Sequence, residues 1–146
     1  AMLAPIGSGG KLLAMHRTYL GDGSKANVPT PKKLTAAAGP LAGACIPLAA
    51  PHGGVLGIAE GIETAAAASL GSGLPVVAAY CANALAGFAL PRGIERLVIF
   101  ADHDPAGQQA AATLAQRATR AGLTSKTLTP SKPGSDWADV WLEGMQ

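Results

Sequence analysis

The sequence predicts an α/β fold: a mostly parallel sheet flanked by helices on both faces, with a small N-terminal β appendage. Three observations carry that expectation. From residue 54 onward, short apolar runs alternate with alanine-rich runs, the signature of repeated βαβ units. Before residue 54 the alternation is missing, and extended runs are separated by turn-forming residues. The composition, 49% hydrophobic and 14% charged with only 4% aromatic residues, describes an ordered core built from Ala, Val, Leu and Ile, which suits close packing of helices on a sheet. A chain of 146 residues is most simply one domain, long enough to bury roughly 70% of its unfolded surface.

Residues 1–10, AMLAPIGSGG, read as a flexible lead-in. LLAMHRTYL (12–20) fits a strand, GDGSKANVPTPKK (21–33) a loop, and GACIPLAA (43–50) a second short strand in which Pro47 favours an edge position. Residues 1–53 therefore form an extended appendage. In the core, 54–146, VLGIAE is a strand, GIETAAAASLGSG a helix ended by glycines, PVVAAY a strand and CANALAGFAL a short helix. RLVIFAD is a strand, PAGQQAAATLAQRATRAG a helix closed by Gly122, and TSKTLTP the last strand. SDWADVWLEG then forms a helical turn or two, with Ser135 as its expected N-cap.

A net charge of +2 does not announce a nucleic-acid binder. The charge is uneven, however: Lys11, Arg17, Lys25, Lys32 and Lys33 share the first quarter of the chain with a single acid, Asp22. Such a cluster either faces phosphate or is a solvated loop. Cys45 and Cys81 lack metal-ligand spacing and have small or apolar neighbours, so they read as buried free thiols in a reducing compartment. No apolar run approaches the roughly 20 residues a membrane helix needs, and the basic-then-apolar order of a signal peptide is missing. The expected location is cytoplasmic, without membrane contact.

In parallel α/β sheets, ligands gather at the carboxyl ends of the strands, and in this chain acids fall there. Glu60 closes VLGIA, Asp102 and Asp104 close RLVIFA, and Asp136 and Asp139 follow the last strand in PGSDWADVW. Residues i and i+2 of an extended chain point the same way, about 6–7 Å apart. Asp102 and Asp104 are thus placed to share a hard, oxygen-loving cation such as Mg²⁺. Simpler readings exist for two of the acids. Asp104 before Pro105 is a good helix cap, and Glu60 gains from the dipole of the helix that follows. Asp102 has no such explanation, because an unpaired carboxylate ending a hydrophobic strand is costly to desolvate. Spacing alone leaves cap and metal roles open.

The pair of motifs IAEGIETA and VIFADHDPAGQQAA resembles the Toprim domain shared by bacterial primases, type IA and type II topoisomerases and several nucleases. Glu60-Gly61 matches the family's "EG" and Asp102-His103-Asp104 its DxD. Pro105-Ala106-Gly107, the alanine-rich helix, and Gly134, Asp136 and Asp139 resemble the primase branch. In particular, HRTYL (16–20), the Lys-containing loop and GACIPL (43–48) are similar to segments preceding the Toprim core in primase–helicase proteins of phages, plasmids and integrated elements. The likeness spans residues 12–142. It implies Mg²⁺, for which Mn²⁺ can substitute, held by Asp102, Asp104 and Glu60, with Asp136 for a second ion and Asp139 a weaker candidate. Glu60, Asp102 and Asp104 would then be catalytic, Glu60 as ligand or general base.

The function so implied is nucleotidyl transfer in primer synthesis, by the core of a larger primase–helicase acting on a DNA template and nucleoside triphosphates beside a helicase domain or partner. Lys11, Arg17 and Lys25 are candidates to steer phosphates. A Toprim nuclease using the same acids, or a non-catalytic nucleic-acid-binding module, are the alternatives. A phosphatase of the haloacid dehalogenase type is disfavoured by Pro-Ala-Gly after the second aspartate. His103 departs from the Gly or Asn common at its position and reads as exposed. Glu63 reads as an exposed helix charge, Asn83 as a cap, and His16 and His52 as structural. Trp137 and Trp141, four apart on one helix face, read as packing for the C-terminal helix or as a docking face.

Overall fold

The computed structural model describes residues 1–145. The N-terminal decapeptide is a strand rather than a flexible lead-in. β1 (Met2–Ser8) pairs antiparallel with β2 (Lys11–Thr18), and Ala4 and Ile6 are 6% and 0% exposed. The glycines that suggested flexibility make the turn: Gly9 and Gly10 both have positive φ (56° and 78°), as a two-residue hairpin requires. The stretch read as a loop is also partly ordered. β3 (Leu20–Gly21) and β4 (Ser24–Lys25) form a second hairpin around Asp22-Gly23, and β5 (Lys32–Leu34) pairs antiparallel with β2. Residues 43–50 make no continuous strand. They contribute isolated bridges, Gly7 to Cys45 and Ile46 to Ala78, which stitch the N-terminal sheet to the core.

The core elements follow the expected order. They are β6 (Val55–Ala59), α1 (Ile62–Ser72), β7 (Val76–Ala78), α2 (Ala82–Gly87), β8 (Arg96–Phe100), α3 (Pro105–Arg120), β9 (Thr124–Leu128) and α4 (Trp137–Gly144). The four strands are parallel in the order β7-β6-β8-β9. Both faces are covered. Leu56, Ile58, Leu97 and Ile99 pack against Leu85 of α2 and Ala110, Leu114 and Ala118 of α3. Ala59, Val98 and Phe100 face Ala65 and Ala68 of α1, Trp137 of α4, and Ala4, Ile6 and Ala14 of the N-terminal sheet. Small residues allow this closeness: a Cβ on Gly57 would lie 2.8 Å from Val76 Cγ2 and 3.1 Å from Phe100 Cε2.

Local signals explain the helix ends. Asp104 caps α3, with Pro105 in the first turn. The α4 cap is Asp136 rather than Ser135. Asp136 and Asp139 exchange side-chain-to-backbone bonds as a capping box, a pairing only Asp136 can make with an acid three residues on. The α2 cap is Cys81, not Asn83; both cysteines are free thiols, but Cys81 is exposed and Cys45 half-buried, so neither is fully buried as expected. Trp137 meets Phe100 edge-on at 5.7 Å, and Trp141 lies against Gly71 of α1, so the tryptophans pack α4 onto the sheet and α1. Among the described residues, no helix is long and apolar enough to cross a membrane.

The strand order fixes where a ligand can sit. From β6 the chain passes through α1 to β7 on one side, then crosses back to β8 on the other. The chain's direction across the sheet therefore reverses between β6 and β8, and in such sheets ligands gather beside the carboxyl ends of the strands at the reversal point.

Candidate functional site

The acids singled out in the sequence gather at this reversal point. Glu60 directly follows β6, and Asp102 and Asp104 follow β8. Asp136 is brought in from beyond β9 by a laced loop. The His103 backbone N–H donates to Ser135 O at 2.9 Å, and Gly134 N–H donates to His103 O at 2.8 Å. The ring adds a contact, His103 Nδ1 to the Pro130 carbonyl at 2.8 Å, which requires the proton on Nδ1. His103 is thus half-buried and structural, not exposed. Its contacts lie on the β9 side, and it ties the two acid-bearing loops together.

The electrostatics report crowded negative charge. Burial first, then the charges of Glu60, Asp136 and Asp104, push the Asp102 carboxyl up to about 7; Lys32 opposes them. Glu60 is raised too, by burial and by Asp104, against the pull of Lys32 and the Ala82 backbone amide. Asp102 Oδ1 is buried and has no hydrogen-bond partner. Such an acceptor is expensive unless something positive meets it.

These residues fit a hard divalent cation, which takes one or two carboxylates and completes its shell with water and phosphate oxygens. They do not form a closed cage: among the described residues, no three His, Cys, Asp or Glu side chains converge as a complete ligand set. Part of each neighbour is already engaged. Asp104 Oδ1 accepts from Gly107 N–H at 2.7 Å, and Asp136 Oδ1 accepts from Asp139 N–H at 2.9 Å. Asp139 itself accepts from the Asp136 N–H at 3.1 Å through Oδ2, which explains its presence as a capping residue.

Gly107 earns its place in Pro-Ala-Gly. A Cβ there would stand 3.0 Å from the Asp102 carbonyl oxygen, 3.2 Å from Asp102 Cβ and 3.3 Å from Asp104 Oδ1. A side chain there would crowd both aspartates, so glycine lets the α3 N-terminus pack closely against them. Tyr80, after β7, is the neighbouring irregularity. Its φ of 71° is rare for a bulky residue, and its N–H donates to Glu60 O at 2.7 Å.

The basic candidates separate. Lys11 is remote: it starts β2 at the hairpin turn and lines, with Arg92 and Leu56, a cavity of about 700 Å³ at the other end of the sheet. Arg17 is half-buried on β2 opposite Leu3 and Lys33, and its Nε has no partner. Lys25 pairs with Glu63 Oε1 at 3.4 Å. Glu63 is not a free helix charge, because Lys32 also pairs with it, through Oε2 at 3.3 Å. Burial acts to raise the Glu63 pKa, but its own backbone N–H, Lys32 and Lys25 outweigh burial and lower it.

Lys32 is the residue the sequence left inside a cluster. It and Lys33 are adjacent in one strand, so they point to opposite faces. Lys33 lies over the Tyr19 ring, 5.8 Å from its centroid, while Lys32 turns to the acids. Only the pairing of Lys32 with Thr18 decides which lysine faces which way.

The family model for the Toprim domain matches residues 55–145. No curated protein sequence matches the chain. Among the solved structures that share its fold are three that each cover 97% of it. One is a DNA primase domain from Pseudomonas aeruginosa (16% identity, TM-score 0.63, 46% of that chain covered). Another is the primase fragment of the bacteriophage T7 primase-helicase protein (18%, 0.66, 57%). The third is the RNA polymerase domain of Mycobacterium tuberculosis primase DnaG (19%, 0.59, 50%). The chain spans about half the length of these structures.

Proposed function

Since the chain belongs to the Toprim family, we propose that it is the Mg²⁺-dependent nucleotidyl-transfer core of a DNA primase, working within a longer primase–helicase of a mobile element. The observation that carries this reading is the unpartnered Asp102 oxygen among Glu60, Asp104 and Asp136 at the sheet's reversal point. The half-length coverage of primase structures supports a division of labour with flanking domains.

In this reading Asp102 and Asp104 hold the ion, with Glu60 or Asp136 completing the protein's share. A bound divalent ion would supply positive charge to the nucleotide phosphates and make the primer 3′-hydroxyl easier to deprotonate. Glu60 suits the acceptance of that proton, because its raised pKa moves it toward the working pH. Gly107 keeps the α3 N-terminus against the aspartates, and His103 keeps the Asp136 loop in register with them. Lys25 and Lys32 offset the repulsion a polyphosphate meets from four carboxylates.

The test is binding of a fluorescent, non-hydrolysable nucleoside triphosphate with Mg²⁺ or Mn²⁺ present, beside incubation with labelled single-stranded DNA. Saturable metal-dependent nucleotide binding with intact DNA is expected. Metal-dependent shortening of the DNA without nucleotide binding would overturn the reading in favour of a nuclease.

A further inference from the structure

Building on the nucleotidyl-transfer reading, we propose that Glu63 is a positioning residue that holds Lys25 and Lys32 as a two-pronged clamp for the triphosphate of the incoming nucleotide. The two lysines come from different strands, β4 and β5, yet they meet one carboxylate, each on its own oxygen (3.4 Å to Oε1 and 3.3 Å to Oε2). Glu63 stands in the first turn of α1, a helix packed on the core sheet, so the anchor is rigid where the strands carrying the lysines are short.

The pairs do little for stability. The three side chains are 46%, 40% and 39% exposed, and water screens ion pairs of that kind. What the arrangement fixes is position. One carboxylate against two ammonium groups leaves a net positive rim beside a cleft of acids. The Lys32 charge is felt at both Glu60 and Asp102, which puts its ammonium at the edge of the metal cleft. A lysine free in solvent would lose its rotamer freedom when it grips a phosphate; one already held by Glu63 has lost much of it beforehand. Lys33 is not a third prong, since it is turned to Tyr19.

Charge and positioning predict opposite signs at Glu63. If the acid merely sits near the site, removing its charge favours a polyanion. If it aims the lysines, removing it weakens binding. The experiment is calorimetric titration of inorganic tripolyphosphate into the whole chain with saturating Mg²⁺. Lys25→Met and Lys32→Met should each weaken binding about three- to tenfold, and Glu63→Gln about three- to fivefold with no change in thermal midpoint. Glu63→Asp keeps the charge but is too short to reach both lysines, and should show the same loss. In a Lys25→Met/Lys32→Met background, Glu63→Gln should cost nothing further.

Unchanged or tighter tripolyphosphate binding by Glu63→Gln overturns the clamp and leaves the nucleotidyl-transfer reading standing. Failure of the wild-type chain to bind tripolyphosphate with Mg²⁺ overturns both. If the Lys25 and Lys32 variants lose single-stranded oligonucleotide binding but keep tripolyphosphate, the lysines serve backbone phosphates, and the clamp as stated is wrong.

Discussion

Asp102 ends a hydrophobic strand with one oxygen that meets no donor, and its pKa stands at about 7. The sign of its effect on stability follows. An unfolded carboxyl ionises near 3.8, so between there and about 7 the folded chain binds the extra proton. Stability from this group is full below the unfolded pKa and is lost as pH rises through about 7. Metal-free Asp102→Asn should therefore be more stable than wild type at pH 8, by about 1–2 kcal/mol once the shift is discounted for the water reaching the carboxyl, and equal to it near pH 4. Thermal melts at the two pH values check this; a variant no more stable at pH 8 contradicts it. Metal affinity should run the other way, rising about tenfold per pH unit up to about 7 and levelling above. Gly107→Ala should weaken metal binding while costing only about 1–3 kcal/mol of stability, since its Cβ displaces Asp102 and Asp104 rather than core. At this scale the sequence singled out Glu60, Asp102 and Asp104 and preferred Asp136 to Asp139, but it could not rank Lys32 over Lys33. That choice depends on strand pairing, which appears only when segments meet.

The core elements were legible because their periods are unmixed. VLGIA and RLVIF are buried on both faces and read as unbroken apolar runs. β1 was not legible, because Gly-Ser-Gly-Gly serves equally as a flexible tail and as a hairpin turn until Ala4 and Ile6 find a face to cover. Short elements here depend on tertiary partners. α2 has six residues, too few to persist alone. Arg117 of α3 holds its end, donating through Nη1 to Ala86 O at 2.8 Å and Phe88 O at 2.9 Å. Arg117→Met keeps much of the side-chain volume but drops both bonds. It should destabilise the chain by about 1.5–3 kcal/mol in urea titration; a loss below about 0.5 kcal/mol would show that water replaces the bonds.

The N-terminal appendage and the core share one hydrophobic cluster, in which Ala4, Ile6 and Ala14 lie with Ala59, Val98 and Phe100. The sequence changes pattern near residue 54, but pattern does not reveal that the parts before and after it bury each other. A chain beginning at residue 54 would expose that sheet face, and it should melt without a cooperative transition or associate; a sharp monomeric transition would show an autonomous core. The same arrangement brings Lys25 and Lys32 from the appendage to the acids of the core, so the site belongs to the whole chain. The central proposal is that the DxD carboxylates hold a divalent cation. Calorimetric titration of Mn²⁺ at pH 8 into wild type and Asp102→Asn/Asp104→Asn tests this directly, because asparagine keeps the α3 cap while removing both charges. Saturable binding that disappears in the double variant, at an unreduced thermal midpoint, is the expected result. Equal binding in both proteins, or none in either with a nucleoside triphosphate present, would leave Asp104 as a helix cap and contradict a metal-dependent site.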